Sequence, residues 1–108
     1  MINMNLYRRG RIAERKVVNW LQDHGHKNIR RSAGSRGPAD IYSVSRAGYK
    51  TYTQVKSNSA SLSSGERSDL RALAKQRGGY AQYVHYEDGR VNGVRLLGNW
   101  GKRQRAYA

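Results

Sequence analysis

The 108-residue chain contains no cysteine, no phenylalanine and a single proline. Without cysteine, disulfide bonds and thiolate metal sites are excluded, so the folded state must rest on core packing alone. No apolar run approaches the roughly 18 residues that a membrane-spanning helix needs, and no charged-then-apolar leader is recognisable. We therefore expect a cytoplasmic protein that does not bind membranes. Its length suits a single hydrophobic core and one domain over residues 1–108.

Acidic residues are also scarce. The chain has 21 Lys and Arg against 7 Asp and Glu, which gives a formal net charge of +14. A folded domain has no reason to carry that self-repulsion unless a polyanion relieves it. Solubility alone needs a much smaller net charge. The charge balance therefore predicts a nucleic acid as partner.

Two stretches of the chain show the periodicity of amphipathic helices. In the first, YRRGRIAERKVVNWLQDHG, an apolar face includes Ala13, Val17 and Leu21. In the second, SLSSGERSDLRALAKQRGG, Ser63 and Glu66 have the spacing of a capping box. The sequence thus predicts two helices, one before and one after the first three predicted strands along the chain.

The remaining segments predict strands. KNIRR predicts an edge strand, ADIYSV and YKTYTQV predict two strands joined by a turn at residues 45–48, and YAQYVHY and VNGVRLL predict a hairpin. The resulting order is α-β-β-β-α-β-β. We expect an α/β fold in which a mixed sheet has one helix packed on each side. Residues 98–108 are expected to form a mobile basic tail.

Ionisable and amide side chains lie at the ends of two neighbouring predicted strands. Because side chains alternate along a strand, Gln54 and Lys56 share one face of the third strand. If the second and third strands pair, Asp40 lies beside both of them. Glu14 flanks the apolar stripe of the first helix and could reach the same end of the sheet. The pattern therefore predicts a convergence of oxygen ligands and a lysine.

Such a convergence suits a divalent cation. Mg²⁺ prefers oxygen ligands and is usually held by one or two carboxylates together with water and substrate phosphate. Asp40, the Gln54 amide oxygen, the Val55 carbonyl and Glu14 could supply these ligands, and Lys56 could stabilise developing negative charge. This combination suits phosphodiester hydrolysis. The alternative is that Asp40 begins a strand and that Gln54 and Lys56 lie on a solvated strand face.

Four segments together resemble the PD-(D/E)XK nuclease superfamily, and most closely its archaeal-type Holliday junction resolvases. The resemblance runs from about residue 8 to residue 86. It is carried by RRGRIAER in the first helix, RRSAGSRGPADI around the aspartate, QVKS at the end of the next strand, and SSGERSDLRALAKQRGGYAQYV thereafter.

The resemblance implies a restriction-endonuclease-like core and a homodimer that nicks opposing strands of four-way or otherwise branched DNA, using Mg²⁺ or Mn²⁺. It implies that Glu14 and Asp40 hold the metal, that Ser35 lies near the scissile phosphate, and that Lys56 is the catalytic lysine. Basic residues of the first helix and of the segment before the aspartate are expected to contact DNA: Arg8, Arg9, Arg11, Arg30, Arg31 and Arg36.

One position departs from the family pattern. Gln54 stands where the family usually has Glu, so the site keeps a ligand oxygen but loses a full negative charge. Two other interpretations therefore stay open. The chain could be a catalytically silent DNA-binding module of the same fold, or a small basic RNA-binding protein.

Overall fold

Five strands form one sheet in the structure, a computed structural model that describes residues 3–32, 37–58 and 60–101, with the backbone alone for residues 3–10. The predicted element order is confirmed. In chain order the elements are α1 (Asn3–Asp23), β1 (Lys27–Arg31), β2 (Ile41–Val44), β3 (Lys50–Ser57), α2 (Ser64–Arg77), β4 (Tyr80–Glu87) and β5 (Arg90–Asn99).

The sheet is mixed, and its strands lie side by side in the order in which they occur along the chain. β1–β2, β2–β3 and β4–β5 are antiparallel, whereas β3–β4 are parallel. Parallel neighbours cannot be joined by a tight turn, and α2 provides the crossover between them. Ile41 lies opposite Thr53, so the start of β2 lies beside the middle of β3.

One face of the sheet packs against α1. Ala13, Val17 and Leu21 recur along the helix at intervals of four residues, and all three are buried. They pack against a cluster on the sheet that includes Ile41 and Val84. The periodicity in the sequence therefore corresponds to the buried stripe of α1.

The opposite face of the sheet packs against α2. Leu70 and Ala74 of the helix cluster with Tyr52 of β3 and Ala81 of β4. Because successive strand residues point to opposite faces, the sheet can bury apolar side chains on both sides. The predicted fold class, a mixed sheet with a helix on each side, is confirmed.

The two ends of α2 are fixed by local hydrogen bonds. The Ser63 hydroxyl accepts from the Glu66 backbone nitrogen at 3.1 Å, and Glu66 Oε1 accepts from the Ser63 nitrogen at 3.0 Å. Gly78, in the left-handed conformation with φ of 72°, ends the helix. Of the helices in the described part of the chain, neither combines the length and apolarity needed to cross a membrane.

The last strand extends beyond the predicted segment VNGVRLL. β5 continues through Gly98 to Asn99, and Trp100 packs against the cluster on the α2 side. The Trp100 nitrogen donates to the Gly79 carbonyl at 2.9 Å, and the Arg71 guanidinium lies 5.5 Å from the indole centroid. Residues 98–99 therefore belong to β5 and Trp100 to the packed cluster, and the expected mobility of the tail stays a prediction. Residues 102–108 lie outside the described residues.

Candidate functional site

Asp40 is held at the end of the β2–β3 strand pair by two hydrogen bonds. Its backbone nitrogen donates to the Thr53 carbonyl at 2.8 Å. The Val55 backbone nitrogen donates to Asp40 Oδ2, also at 2.8 Å. The carboxylate is thus bound to the backbone of the neighbouring strand, and its position follows from the register of the two strands.

Burial dominates the electrostatics of this carboxylate. It raises the pKa of Asp40, although the hydrogen bond from Val55 and the positive charge of Lys56 act in the opposite direction. The negative charge of Glu66 also raises the pKa of Asp40. The folded protein therefore carries the ionised form of Asp40 at a cost in free energy.

Glu14, on α1, is electrostatically coupled to Asp40. Burial raises the pKa of Glu14 most, and the charge of Asp40 raises it further. Arg31 and Arg11 act in the opposite direction. Two partly buried carboxylates that repel each other form an arrangement that a divalent cation would stabilise.

These two carboxylates do not belong to a larger acidic or histidine cluster. Within residues 3–32, 37–58 and 60–101, no group of three or more His, Cys, Asp or Glu is arranged to hold a metal. Amide and carbonyl oxygens are further ligands that Mg²⁺ and Ca²⁺ sites use. Gln54 is half-buried, and strand alternation places it on the same face as Lys56. Val55 contributes its backbone nitrogen to Asp40, and a metal role for its carbonyl stays a prediction.

Lys56 forms an ion pair that the sequence did not indicate. Its ammonium nitrogen lies 2.7 Å from Glu66 Oε2, while the other oxygen of Glu66 caps α2. The hydrogen bond from Lys56 is the largest cause of the lowered pKa of Glu66, followed by the one from the Ser63 backbone. Glu66 therefore connects the start of α2 to Lys56.

The predicted DNA-contacting residues are only partly described. Arg11 and Arg31 act electrostatically on Glu14, and Arg30 lies with its guanidinium carbon 5.6 Å from the centroid of the Tyr42 ring. Ser35 and Arg36 lie outside the described residues. Arg8 and Arg9 belong to α1, but their side chains also lie outside the described part.

The loop that contains Ser35 is tied to the site at its beginning. The Ser32 backbone nitrogen donates to the Asp40 carbonyl at 2.7 Å, so residues 33–39 leave and re-enter the sheet at adjacent positions. The predicted proximity of Ser35 to the site stays a prediction.

The fold is similar to that of a solved structure of Archaeoglobus fulgidus Hjc, a Holliday junction resolvase from an archaeal hyperthermophile. The TM-score is 0.64 at 22% sequence identity, and the match covers 82% of this chain and 70% of that chain. No protein-family model and no curated protein sequence matches this chain. The likeness confirms the resolvase-like fold that the sequence motifs predict.

Replacing Asp40 by Asn should stabilise the fold at neutral pH in the presence of a chelator. Because the folded state raises the pKa of Asp40 above its ordinary value of 3.8, the wild type loses stability as the pH rises through the folded-state pKa. Asn retains an acceptor for the Val55 nitrogen and carries no charge. We expect Asp40→Asn to increase the free energy of unfolding at pH 7 by about 0.5–2 kcal/mol.

Urea unfolding at pH 7 and pH 4 measures this effect. The difference in the free energy of unfolding between Asp40→Asn and the wild type should be smaller at pH 4 than at pH 7. Asp69→Asn is the matched control, because Asp69 is exposed on α2. A loss of stability in Asp40→Asn that is equal at both pH values would contradict the electrostatic account of the site.

Proposed function

We propose that this protein is a divalent-metal-dependent endonuclease that hydrolyses phosphodiester bonds in branched DNA, in the manner of a Holliday junction resolvase. The observation that carries the proposal is the placement of Asp40 at the end of a resolvase-like sheet, where it bonds the Val55 nitrogen and interacts electrostatically with Glu14 and Lys56. The net charge of +14 supports a polyanionic substrate. A cytoplasmic location stays a prediction.

The oxygen donors fit Mg²⁺ or Mn²⁺. Burial raises the pKa of Glu14 and the charge of Asp40 raises it further, while Asp40 itself is fixed by a backbone hydrogen bond. Glu14 and Asp40 would hold the cation, with the Gln54 amide oxygen and the Val55 carbonyl as further ligands. The bound ion would neutralise charge on the phosphate and acidify water.

The chain's own residues then have separate roles. Lys56 would donate a hydrogen bond to the phosphate as negative charge develops during hydrolysis. Glu66, which lies 2.7 Å from its ammonium group, would orient Lys56 before DNA binds. Arg11 and Arg31, beside Glu14, would contact the neighbouring DNA backbone, as would Arg8, Arg9 and Arg36. Ser35 would lie near the scissile phosphate.

The first test is cleavage of a labelled four-way junction with and without Mn²⁺. Cleavage should require the ion. Asp40→Asn and Lys56→Ala should each lower its rate by about 100-fold or more, because both groups act on the charged transition state. DNA affinity should stay close to that of the wild type, since most of it comes from phosphate contacts elsewhere.

Lys75→Ala is the control for Lys56→Ala, since Lys75 is exposed near the far end of α2. It should cleave at the rate of the wild type. Undiminished cleavage by Asp40→Asn or Lys56→Ala would rule out the assigned site, and metal-independent cleavage would rule out the assigned chemistry.

The absence of a charge at Gln54 favours a second candidate, a DNA-binding module of the same fold without catalysis. The substitution Gln54→Glu separates the two. If the amide oxygen contacts the ion, a full negative charge at nearly unchanged shape should lower the metal concentration for half-maximal cleavage roughly tenfold.

Gln76→Glu makes the same change on an exposed position of α2 and should leave the metal dependence unchanged. Titrations of Mg²⁺ and Mn²⁺ on one junction substrate compare the three proteins. Coincident metal curves for the wild type and Gln54→Glu would exclude Gln54 as a ligand. Cleavage that appears only in Gln54→Glu would favour the silent module.

We also propose that the protein is a homodimer, because resolution of a junction requires cuts in two strands and the described residues of one copy form one candidate site. Light scattering with size-exclusion chromatography should give about twice the chain mass of 12.3 kDa. The mass of a single chain at the concentration used for cleavage would contradict this assignment.

A further inference from the structure

A concave site lies on the α2 side of the sheet, at the end opposite Asp40. It has a volume of about 460 Å³ and is bounded by β1, β2, β3 and the last turn of α2. Glu66 and Arg77 stand at the two ends of α2, and eleven residues of helix separate them by about 16 Å. The cavity is thus distinct from the candidate metal site.

The walls of this cavity are basic. Arg30, Lys50 and Arg77 line it, and none of its described lining residues is acidic. The three residues lie on different elements, β1, β3 and α2. Their charges are therefore brought together by the fold and are not neighbours in the sequence. Positive side chains converging on a concavity without carboxylates indicate an anionic ligand.

The cavity also contains an aromatic surface. The rings of Tyr42 and Tyr52 pack edge to face, with centroids 5.6 Å apart and an angle of 89°. The Arg30 guanidinium lies over the Tyr42 ring at 5.6 Å. Burial raises the pKa of Tyr52, and the positive charge of Arg77 acts in the opposite direction. Each tyrosine is therefore associated with one of the basic residues.

A bulge in the edge strand orients Arg30. Asn28 adopts a left-handed conformation with φ of 53°, and the register of β1 on β2 shifts between Lys27 and Arg30. The shift places Arg30 directly opposite Tyr42, on the same face of the sheet. Bulges commonly redirect a side chain beside a functional site. Here the result is the pairing of a guanidinium with an aromatic ring inside the cavity.

We propose that this cavity binds a single unstacked nucleotide of the DNA strand, with its phosphate on Arg30, Lys50 and Arg77. Its base would lie against the Arg30–Tyr42 pair. The inference rests on the proposed function in one respect, that DNA is the substrate. It adds that the protein recognises branched DNA by capturing an unpaired base.

The dimensions of the cavity favour a nucleotide over a lone phosphate. Contacts to the backbone of duplex DNA are made on open surfaces and need no concavity of several hundred cubic ångströms. Cavities of this volume take a small organic molecule with a polar group. Aromatic rings and guanidinium planes are the surfaces on which proteins stack unpaired bases.

The test compares three short duplexes of equal length in the presence of EDTA. One is fully paired, one carries a single bulged adenine, and one carries a bulged abasic site. The two bulged duplexes differ only in the base, so their affinity ratio isolates base capture from bending and charge. The wild type should bind the bulged adenine about tenfold more tightly than the abasic bulge.

Two double variants locate the effect. Arg30→Ala with Arg77→Ala should abolish the preference for adenine over the abasic site. Arg90→Ala with Arg95→Ala removes two arginines from β5, at the opposite edge of the sheet. This control should weaken binding to all three duplexes and leave the ratio unchanged. Thermal unfolding by circular dichroism verifies that both variants fold.

Equal affinity of the wild type for the two bulged duplexes would overturn the proposal without reference to any variant. An unchanged affinity ratio of bulged adenine to abasic bulge in the double variant Arg30→Ala with Arg77→Ala would also overturn it. Micromolar binding of free deoxyadenosine monophosphate, lost in that variant, would assign the cavity to a soluble nucleotide instead of a DNA strand.

The outcome is separable from that of the nuclease assay, because binding is measured without metal. If the protein prefers the bulged adenine but never cleaves DNA, the nucleotide site is supported and the proposed activity is excluded. If the protein cleaves junctions but does not prefer the bulged adenine, the activity is supported and the nucleotide site is excluded.

Discussion

The hydrogen bond from the Val55 backbone nitrogen to the Asp40 carboxylate is the interaction on which the candidate site depends. It extends the pairing of β2 with β3 by one residue beyond Ile41, which lies opposite Thr53. A slip of one residue would turn every side chain of β2 to the other face of the sheet and move Asp40 away from Lys56. The register that buries Ile41 on the α1 side therefore also fixes the carboxylate.

The same arrangement is electrostatically unfavourable without a cation. Asp40 and Glu14 are partly buried, and their repulsion raises the pKa of Glu14 beyond the effect of burial. A sequence selected only for stability would place uncharged side chains at these positions, particularly where the sheet already packs well on both faces. Unfavourable charge at the end of a well-packed sheet points to function.

The sequence was sufficient for the fold and for part of the site. Helix periodicity, turn residues and strand alternation were enough to predict the element order and the approach of Asp40 to Lys56. They missed the role of Glu66, because a capping box accounts for one of its oxygens and the ion pair of the other depends on how α2 packs against β3. The cavity at Arg30 and Arg77 depends on a bulge in β1, which leaves no local pattern, and on how the end of α2 packs over the sheet.

Direct measurement of Mn²⁺ binding by electron paramagnetic resonance, without DNA, tests the central claim that these carboxylates form a cation site. The net charge of +14 disfavours non-specific association of a divalent cation with the rest of the surface. The account predicts that the wild type and Asp69→Asn bind a single ion per chain with equal affinity, whereas Asp40→Asn binds none. Equal binding by Asp40→Asn and the wild type, or an absence of binding by both, would contradict it.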